Sequence, residues 1–163
     1  MMIPFRVGHG YDVHRFSPDR RLILGGVEIP DVGEFGLLGH SDADVLTHAV
    51  MDALLGAIGE GDIGRHFPDS DDRYKGISSM LLLSDVLRLV YDRGYALGNL
   101  DVTVIAQKPR LSSYIPLIRK SLASAFSVDE EQINVKATTE EGLGFTGALL
   151  GMAAHAVCTL YYK

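Results

Sequence analysis

The chain has 163 residues, 47% hydrophobic and 22% charged, proportions that fit one globular domain over residues 1–163 with a sizeable core. Fifteen basic against 21 acidic residues leave a net charge of −6, which excludes the broad basic footprint of a nucleic-acid binder. Any anionic substrate must then find its positive charge locally, from metal ions or backbone N–H groups.

No apolar run approaches bilayer length, since "MLLLSDVLRLV" carries Asp85 and Arg88, and Met1 to Gly10 lacks a signal peptide's apolar core. The single cysteine, Cys158, sits in an apolar run and excludes an internal disulfide. The expectation is a cytoplasmic protein with no membrane or nucleic-acid partner.

The first element is a strand, "FRVGHGYDVHRF", Phe5 to Phe16. Alternation puts Asp12 and His14 on one face with Gly8 and Gly10, which leave that face bare, while His9, Tyr11 and Val13 take the other. An Asp-x-His pair beside open space supplies two legs of a metal site. A polar edge strand with a solvated histidine has the same pattern, so the rest of the chain must decide. "RRLILGGVEIP" reads as a second strand around Leu22 to Leu24, punctuated by Gly25-Gly26 and Pro30, and Asp31 to Gly39 reads as a loop.

A helix then begins around Ser41 to Asp44, whose short oxygens suit capping, and runs to Ile58 before Gly59 and Gly61. Leu46, Ala49, Val50, Ala53 and Ala57 form its apolar stripe, with Asp44, His48 and Asp52 on the opposite, polar side. His48 is a candidate partner for Asp12 and His14. Two imidazoles and a carboxylate suit a catalytic zinc with its fourth position open, whereas a structural zinc would more often use four ligands including thiolates.

"EGDIGRHFPDSDDRYKG", Glu60 to Gly76, reads as a polar loop of the kind that carries binding residues. Ser78 to Arg93 is a second helix that buries "MLLL", Val86, Leu89 and Val90. "NLDVTVIAQ" alternates over Leu100, Val102, Val104 and Ala106 as a strand. Ser112 to Phe126 is a third helix, with Pro116 tolerable in its first turn. "INVKAT" is a strand, "TEEGLGF" a glycine-broken turn, and "LGMAAHAVCTLYY" a long final strand apolar on both faces, which hints at a subunit interface. The class is α+β or α/β, and sequence alone leaves the pairing open.

Four blocks of the chain, "GHGYDVHRF", "GLLGHSDADVLTHAVMDALLGAIGEGDIGRHFPDSD", "GNLDVTVIAQKPRL" and "NVKATTEEGLGFTG", resemble the signatures of the 2-C-methyl-D-erythritol 2,4-cyclodiphosphate synthase family. The resemblance spans nearly the whole chain, in order. It implies an α+β (α/β-like) fold, a mixed sheet with helices packed on one side, assembled as a homotrimer around a central β-lined channel with active sites between adjacent subunits. The implied reaction converts 4-diphosphocytidyl-2-C-methyl-D-erythritol 2-phosphate to the 2,4-cyclodiphosphate with release of CMP.

By position in these blocks, the resemblance assigns zinc or another divalent metal to Asp12, His14 and His48. It assigns magnesium or manganese, shared with the substrate diphosphate, to Glu141. His40 and Ser41 match phosphate contacts, and His40 and Thr139 match positions that stabilise the transition state. Asp62, Ile63 and Gly64 with Phe67, Pro68, Asp69, Ser70 and Asp71 match the erythritol-phosphate pocket. Ala106, Gln107, Lys108, Pro109, Arg110, Leu111 and Ser112 match one cytidine-side loop, and Thr138 and Thr139 a second. Val13, Glu140 and Phe145 complete the implied substrate contacts.

The implied nucleophile is an oxygen of the substrate's own 2-phosphate. With a second pKa of about 6 it is mostly ionised at neutral pH, so no general base is required. Positioning can remove on the order of 7 kcal/mol from such a barrier, and the remaining demand is electrostatic. A metal-dependent phosphohydrolase or a non-catalytic cytidine-nucleotide-binding trimer would use similar residues. One departure stands out: many relatives carry an arginine after "GFTG" that lines the channel and holds an isoprenoid diphosphate, whereas this chain has Ala148 there, Leu150 two residues on, and His155 where an acidic residue is common. Weak binding of isoprenoid diphosphates is the expectation.

Overall fold

Strand β1 spans Phe5–Ser17 in the computed structural model, which describes residues 4–163. The first three residues of the stretch read against a leader therefore lie outside the described residues. Where one strand is expected from "RRLILGGVEIP" there are two, β2 (Leu22–Leu24) and β3 (Val27–Ile29), paired as a hairpin. Gly25 and Gly26 turn it with φ of 58° and 76°, the left-handed pair that a tight hairpin turn demands. The expected loop from Asp31 to Gly39 contains a 3₁₀ turn, Gly33–Phe35, and a short strand, β4 (Gly36–Leu38).

Helix α1 (Val45–Ile58) starts at an Asp44 cap and ends on Gly59 at φ 75°, as its sequence predicts. The next stretch is not all loop: it holds one-turn α2 (Ile63–His66) and a 3₁₀ turn at Asp72–Tyr74. There follow α3 (Ser79–Asp92), β5 (Tyr95–Ile105), α4 (Ile115–Phe126), β6 (Ile133–Thr138), one-turn α5 (Gly144–Gly147) and β7 (Gly151–Tyr162). Pro116 falls in the first turn of α4, where its missing N–H costs nothing.

The five-stranded sheet has the order β4-β1-β7-β5-β6. Its pairings are antiparallel except β5 with β6, which α4 connects as a parallel crossover. The class is therefore α+β with a mixed sheet. Strand β1 pairs with β7 along most of its length and with β4 at its end, so it is internal and not the polar edge strand that its sequence also allowed.

The helices cover one face of the sheet. Met152, Ala154, Ala156, Cys158 and Leu160 of β7 point into that core and are fully buried, and burial pushes the Cys158 thiol up to about 11. The opposite face is bare within one chain: Val7, Tyr11, Val13, Val157 and Tyr161 are between 40% and 58% exposed. Apart from Ala153, the final strand is thus buried on one side only. His155 lies on this bare face, with its Nδ1 3.0 Å from His9 Nε2. Among the described residues no helix is long and apolar enough to cross a membrane.

Gly8 and Gly10 do not leave space open, as their sequence context suggests. They admit the backbone of α1, which packs directly on β1: a Cβ at Gly8 would stand 1.8 Å from Ala53 O, and one at Gly10 1.8 Å from Ala49 O. The side of α1 expected to face solvent is also covered. Asp44 is 0% and His48 8% exposed, because the β2–β3 hairpin and α3 close over them. Asp44 accepts from Thr47 N and Gly25 N at Oδ1, and from Gly26 N and Thr47 Oγ1 at Oδ2. One carboxylate caps the helix and clamps the hairpin turn.

Candidate metal centre and substrate clefts

Asp12 and His14 sit two residues apart near the end of β1, and His48 lies in the first turn of α1. The close seating of α1 on Gly8 and Gly10 brings these side chains together. Asp12 Oδ2 is 3.0 Å from His14 Nε2 and 3.0 Å from His48 Nδ1, and the two nitrogens are 3.1 Å apart. Among the described residues this is the one group of three or more His, Cys, Asp and Glu side chains whose donor atoms lie within 4.8 Å of one another.

His14 Nδ1 is 2.8 Å from the Leu38 carbonyl, which can only accept, so that nitrogen carries a proton, and in the neutral ring the Nε2 lone pair faces Asp12. His48 Nε2 faces the hydroxyls of Ser79 at 2.8 Å and Ser41 at 3.1 Å. Three acceptor atoms so close repel unless a proton or a cation lies among them. The donor set, two imidazoles and a carboxylate, fits a divalent transition metal.

The local electrostatics point the same way. Burial alone would raise the Asp12 carboxyl, but the hydrogen bonds from His14 and His48, and then their charge, outweigh it and bring it down to about 2. Burial works to lower His14, yet the hydrogen bond and charge of Asp12 leave it raised above 6.5. The site favours positive charge beside Asp12 in either form.

His40, Ser41, His48, Ile63, Phe67 and Asp69 converge on a small cleft of about 40 Å³, so α2 and the segment after it lie against the histidines. His40 Nε2 is 3.2 Å from the Asp71 carbonyl. A larger cavity of about 740 Å³ lies between the segment from Ala106 to Ser112 and Thr138–Thr139 at the end of β6. It holds two cationic side chains, Lys108 and Arg110. Gln107 Oε1 accepts from Gly142 N at 3.2 Å and ties the two loops.

The two cavities share no lining residue. Glu141 is not part of the Asp12 cluster; it stands exposed at φ 55° in the turn after β6, its N–H donating to Thr139 Oγ1 at 3.3 Å. Other expected contacts line neither cavity. Val13 points to the bare sheet face, Glu140 accepts from Thr146, and Phe145 is 37% exposed. Asp62 caps α2 through Arg65 N, Asp71 pairs with Arg73 at 2.6 Å, and Gly64, Pro68 and Ser70 lie in the same segment.

Sequence reasoning missed several participants. Asp31, Val32 and Phe35, read as plain loop, line the larger cavity, and Met51, Tyr74 and Leu82 line the smaller. Leu38, Asp42 and Ser79 fix the histidines from outside. Nothing in their spacing marks them, since each acts through a contact made only on folding.

Residues 5–161 match the model of the YgbB family. A 2-C-methyl-D-erythritol 2,4-cyclodiphosphate synthase of Clostridium novyi is 58% identical over 158 residues, covering 97% of this chain and 99% of that one. A synthase of the same name from Lachnospira eligens is 60% identical over 155 residues, 95% of this chain and 84% of that one. Among solved structures, IspF of Plasmodium falciparum in complex with CDP aligns with a TM-score of 0.85 at 36% identity, covering 100% of this chain and 99% of that one. The bifunctional IspDF of Campylobacter jejuni aligns with a TM-score of 0.93 at 43% identity over 98% of this chain, which spans 42% of that longer one. With the family's model matched from the first strand to the last, the chain belongs to the YgbB family.

Proposed function

We propose that this chain, as a single domain over residues 1–163, is a cytoplasmic 2-C-methyl-D-erythritol 2,4-cyclodiphosphate synthase of the non-mevalonate isoprenoid pathway, a phosphorus–oxygen lyase that releases CMP. The observation that carries the reading is the Asp12–His14–His48 cluster opening beside the cleft of His40, Ser41, Phe67 and Asp69. A zinc ion held by Asp12, His14 and His48, and a magnesium or manganese ion at Glu141, would supply charge neutralisation and Lewis-acid polarisation at the substrate's phosphates.

The chain's own residues bind and align. The cavity between Ala106 to Ser112 and Thr138–Thr139 takes the cytidine end, with Lys108 and Arg110 as local positive charge. The small cleft takes the erythritol phosphate, where His40 and Ser41 contact phosphate oxygens. His40 and Thr139 donate to the oxygens on which charge develops as the 2-phosphate attacks the β-phosphorus and CMP departs. No side chain is asked to remove a proton, because the nucleophile is already ionised.

A complete site needs both cavities at one substrate, and within one chain they are separate. A homotrimer built on the bare sheet face, with each site completed by a neighbour, satisfies that need and covers Val7, Tyr11, Val157 and Tyr161. Phosphorus NMR of the purified protein with its substrate is the test. Cyclic diphosphate with CMP supports the reading; inorganic phosphate supports a hydrolase, and bound but unconverted substrate a nucleotide-binding protein.

A further inference from the structure

The two nitrogens of neutral His48 compete for one proton. Nδ1 faces Asp12 Oδ2 at 3.0 Å, and Nε2 faces Ser79 Oγ at 2.8 Å. With the proton on Nδ1, His48 donates to Asp12 and has no lone pair to offer a cation there. With the proton on Nε2, the Nδ1 lone pair is free. For His14 a backbone carbonyl decides the matter. For His48 the neighbours are hydroxyls, which can donate or accept, so something further must decide.

That something is Asp42. Ser79 Oγ lies 2.5 Å from Asp42 Oδ1, and Ser79 N lies 2.9 Å from Asp42 Oδ2. A carboxylate only accepts, and 2.5 Å is the length of a charge-assisted O–H···O⁻ bond, so the Ser79 proton is committed to Asp42. What Ser79 Oγ presents to His48 is then a lone pair. Ser79 is 0% exposed, which leaves no solvent to offer His48 Nε2 an alternative from that side. Ser41 Oγ, 3.1 Å from the same nitrogen, accepts from Ala43 N and has no carboxylate to orient its proton.

We propose that Asp42 and Ser79 are positioning residues for the metal site. The chain Asp42–Ser79–His48 accepts the imidazole proton on Nε2 when a cation takes the Nδ1 lone pair. This rests on the metal reading above and assigns a task to two residues outside the ligand set. Outer hydrogen bonds of this kind fix ring orientation and raise ligand basicity.

Asp42 also anchors the start of α3 through Ser79 N, so replacing it would disturb the helix as well. Ser79 separates the two effects, because its N–H remains when its hydroxyl is removed. In Ser79→Ala the apparent zinc affinity, measured by chelator competition, is expected to fall roughly 10- to 100-fold.

Ser79→Thr and Ser79→Val control for packing, being near-equal in shape and differing in the hydroxyl. Threonine should bind zinc at least about tenfold more tightly than valine if the hydroxyl carries the effect. Equal affinities for the pair would overturn the proposal. A wild-type protein that takes up no zinc would instead overturn the metal reading, and with it the task assigned to Ser79 and Asp42.

Discussion

Gly10→Ala puts the seating of α1 on the sheet to the test. The added Cβ would stand 1.8 Å from Ala49 O, 2.7 Å from Ala53 N and 2.8 Å from Ala49 C. All three are backbone atoms of α1, so no rotamer change relieves the clash. Restoring ordinary contact requires α1 to move by roughly 1.5 Å, a shift that forfeits much of the dispersion energy of the contacts it breaks. Overpacking alone costs about 1–3 kcal/mol. Because α1 is buried on nearly every side, its displacement adds lost packing, and we expect about 3 kcal/mol or more in total, against a typical domain stability of about 5–15 kcal/mol. The same motion carries His48 away from Asp12, so zinc uptake should fall with stability. Gly56→Ala is the control: in the same helix, exposed, with its nearest atom 3.9 Å away, it should gain about 0.5–1 kcal/mol. Urea denaturation of metal-free protein, at one protein concentration for every variant, measures stability, and elemental analysis measures zinc. Gly10→Ala within about 0.5 kcal/mol of wild type, with full zinc, would refute the claim that this glycine exists to admit the helix.

Glu141→Gln should leave zinc in place and raise the magnesium or manganese concentration needed for half-maximal turnover; unchanged metal dependence would remove Glu141 from that role. Variants inactivated at His14 and at Arg110 should partly rescue each other when chains reassort, because the two residues would serve one site from different subunits. No regain in demonstrated mixed oligomers would place each site within one chain. In the metal-free protein, stabilisation from Asp12 is present above its ordinary value of 3.8 and lost as pH falls through about 2. Stabilisation from raised His14 is present below 6.5 and lost as pH rises through its folded value. Zinc must expel the His14 proton, so the zinc-induced rise in Tm should grow with pH across the neutral range. A zinc increment flat in pH would mean that His14 is not a ligand.

Legibility in the sequence followed the range of the forces involved. Helix α1 could be read to its caps, because Asp44 and Gly59 act on their own helix ends. Strand β6 is where "INVKAT" places it, and the inward set Leu100, Val102 and Val104 follows from alternation alone. The clustering of Asp12, His14 and His48 was legible because strand and helix periods put each on a definite face. The hairpin at Gly25–Gly26 was misread as one strand, since three-residue strands are too short for a period to register. The burial of His48 and Asp44 was missed for a different reason. A polar stripe on a helix reads as solvated unless the buried hydrogen-bond partners are known, and Ser79 and Gly25 lie far away in sequence. The glycines of β1 were read as leaving open space, but that space is filled by backbone from α1, which no local pattern announces.

Around Asp12, His14 and His48, negative charge is gathered rather than dispersed. Asp42, Asp44 and Asp52 lie on or beside α1; burial raises both Asp44 and Asp52, and the charge of Asp12 raises Asp52 further. Two unit charges 4 Å apart interact by about 4 kcal/mol at the effective dielectric of such a site. A phosphate approaching these carboxylates without a cation would meet repulsion, whereas a divalent cation would meet attraction. Occupancy by the cation reverses the sign of the field that the phosphate feels. Binding of metal and of anion should then be strongly cooperative, with the carboxylates that recruit the one excluding the other when it is absent. Lys108 and Arg110 in the larger cavity are too few to change this balance for a substrate with several phosphate charges. An acidic chain suits such a site: its negative charge would attract the cation, and the cation would present the substrate with a positive one.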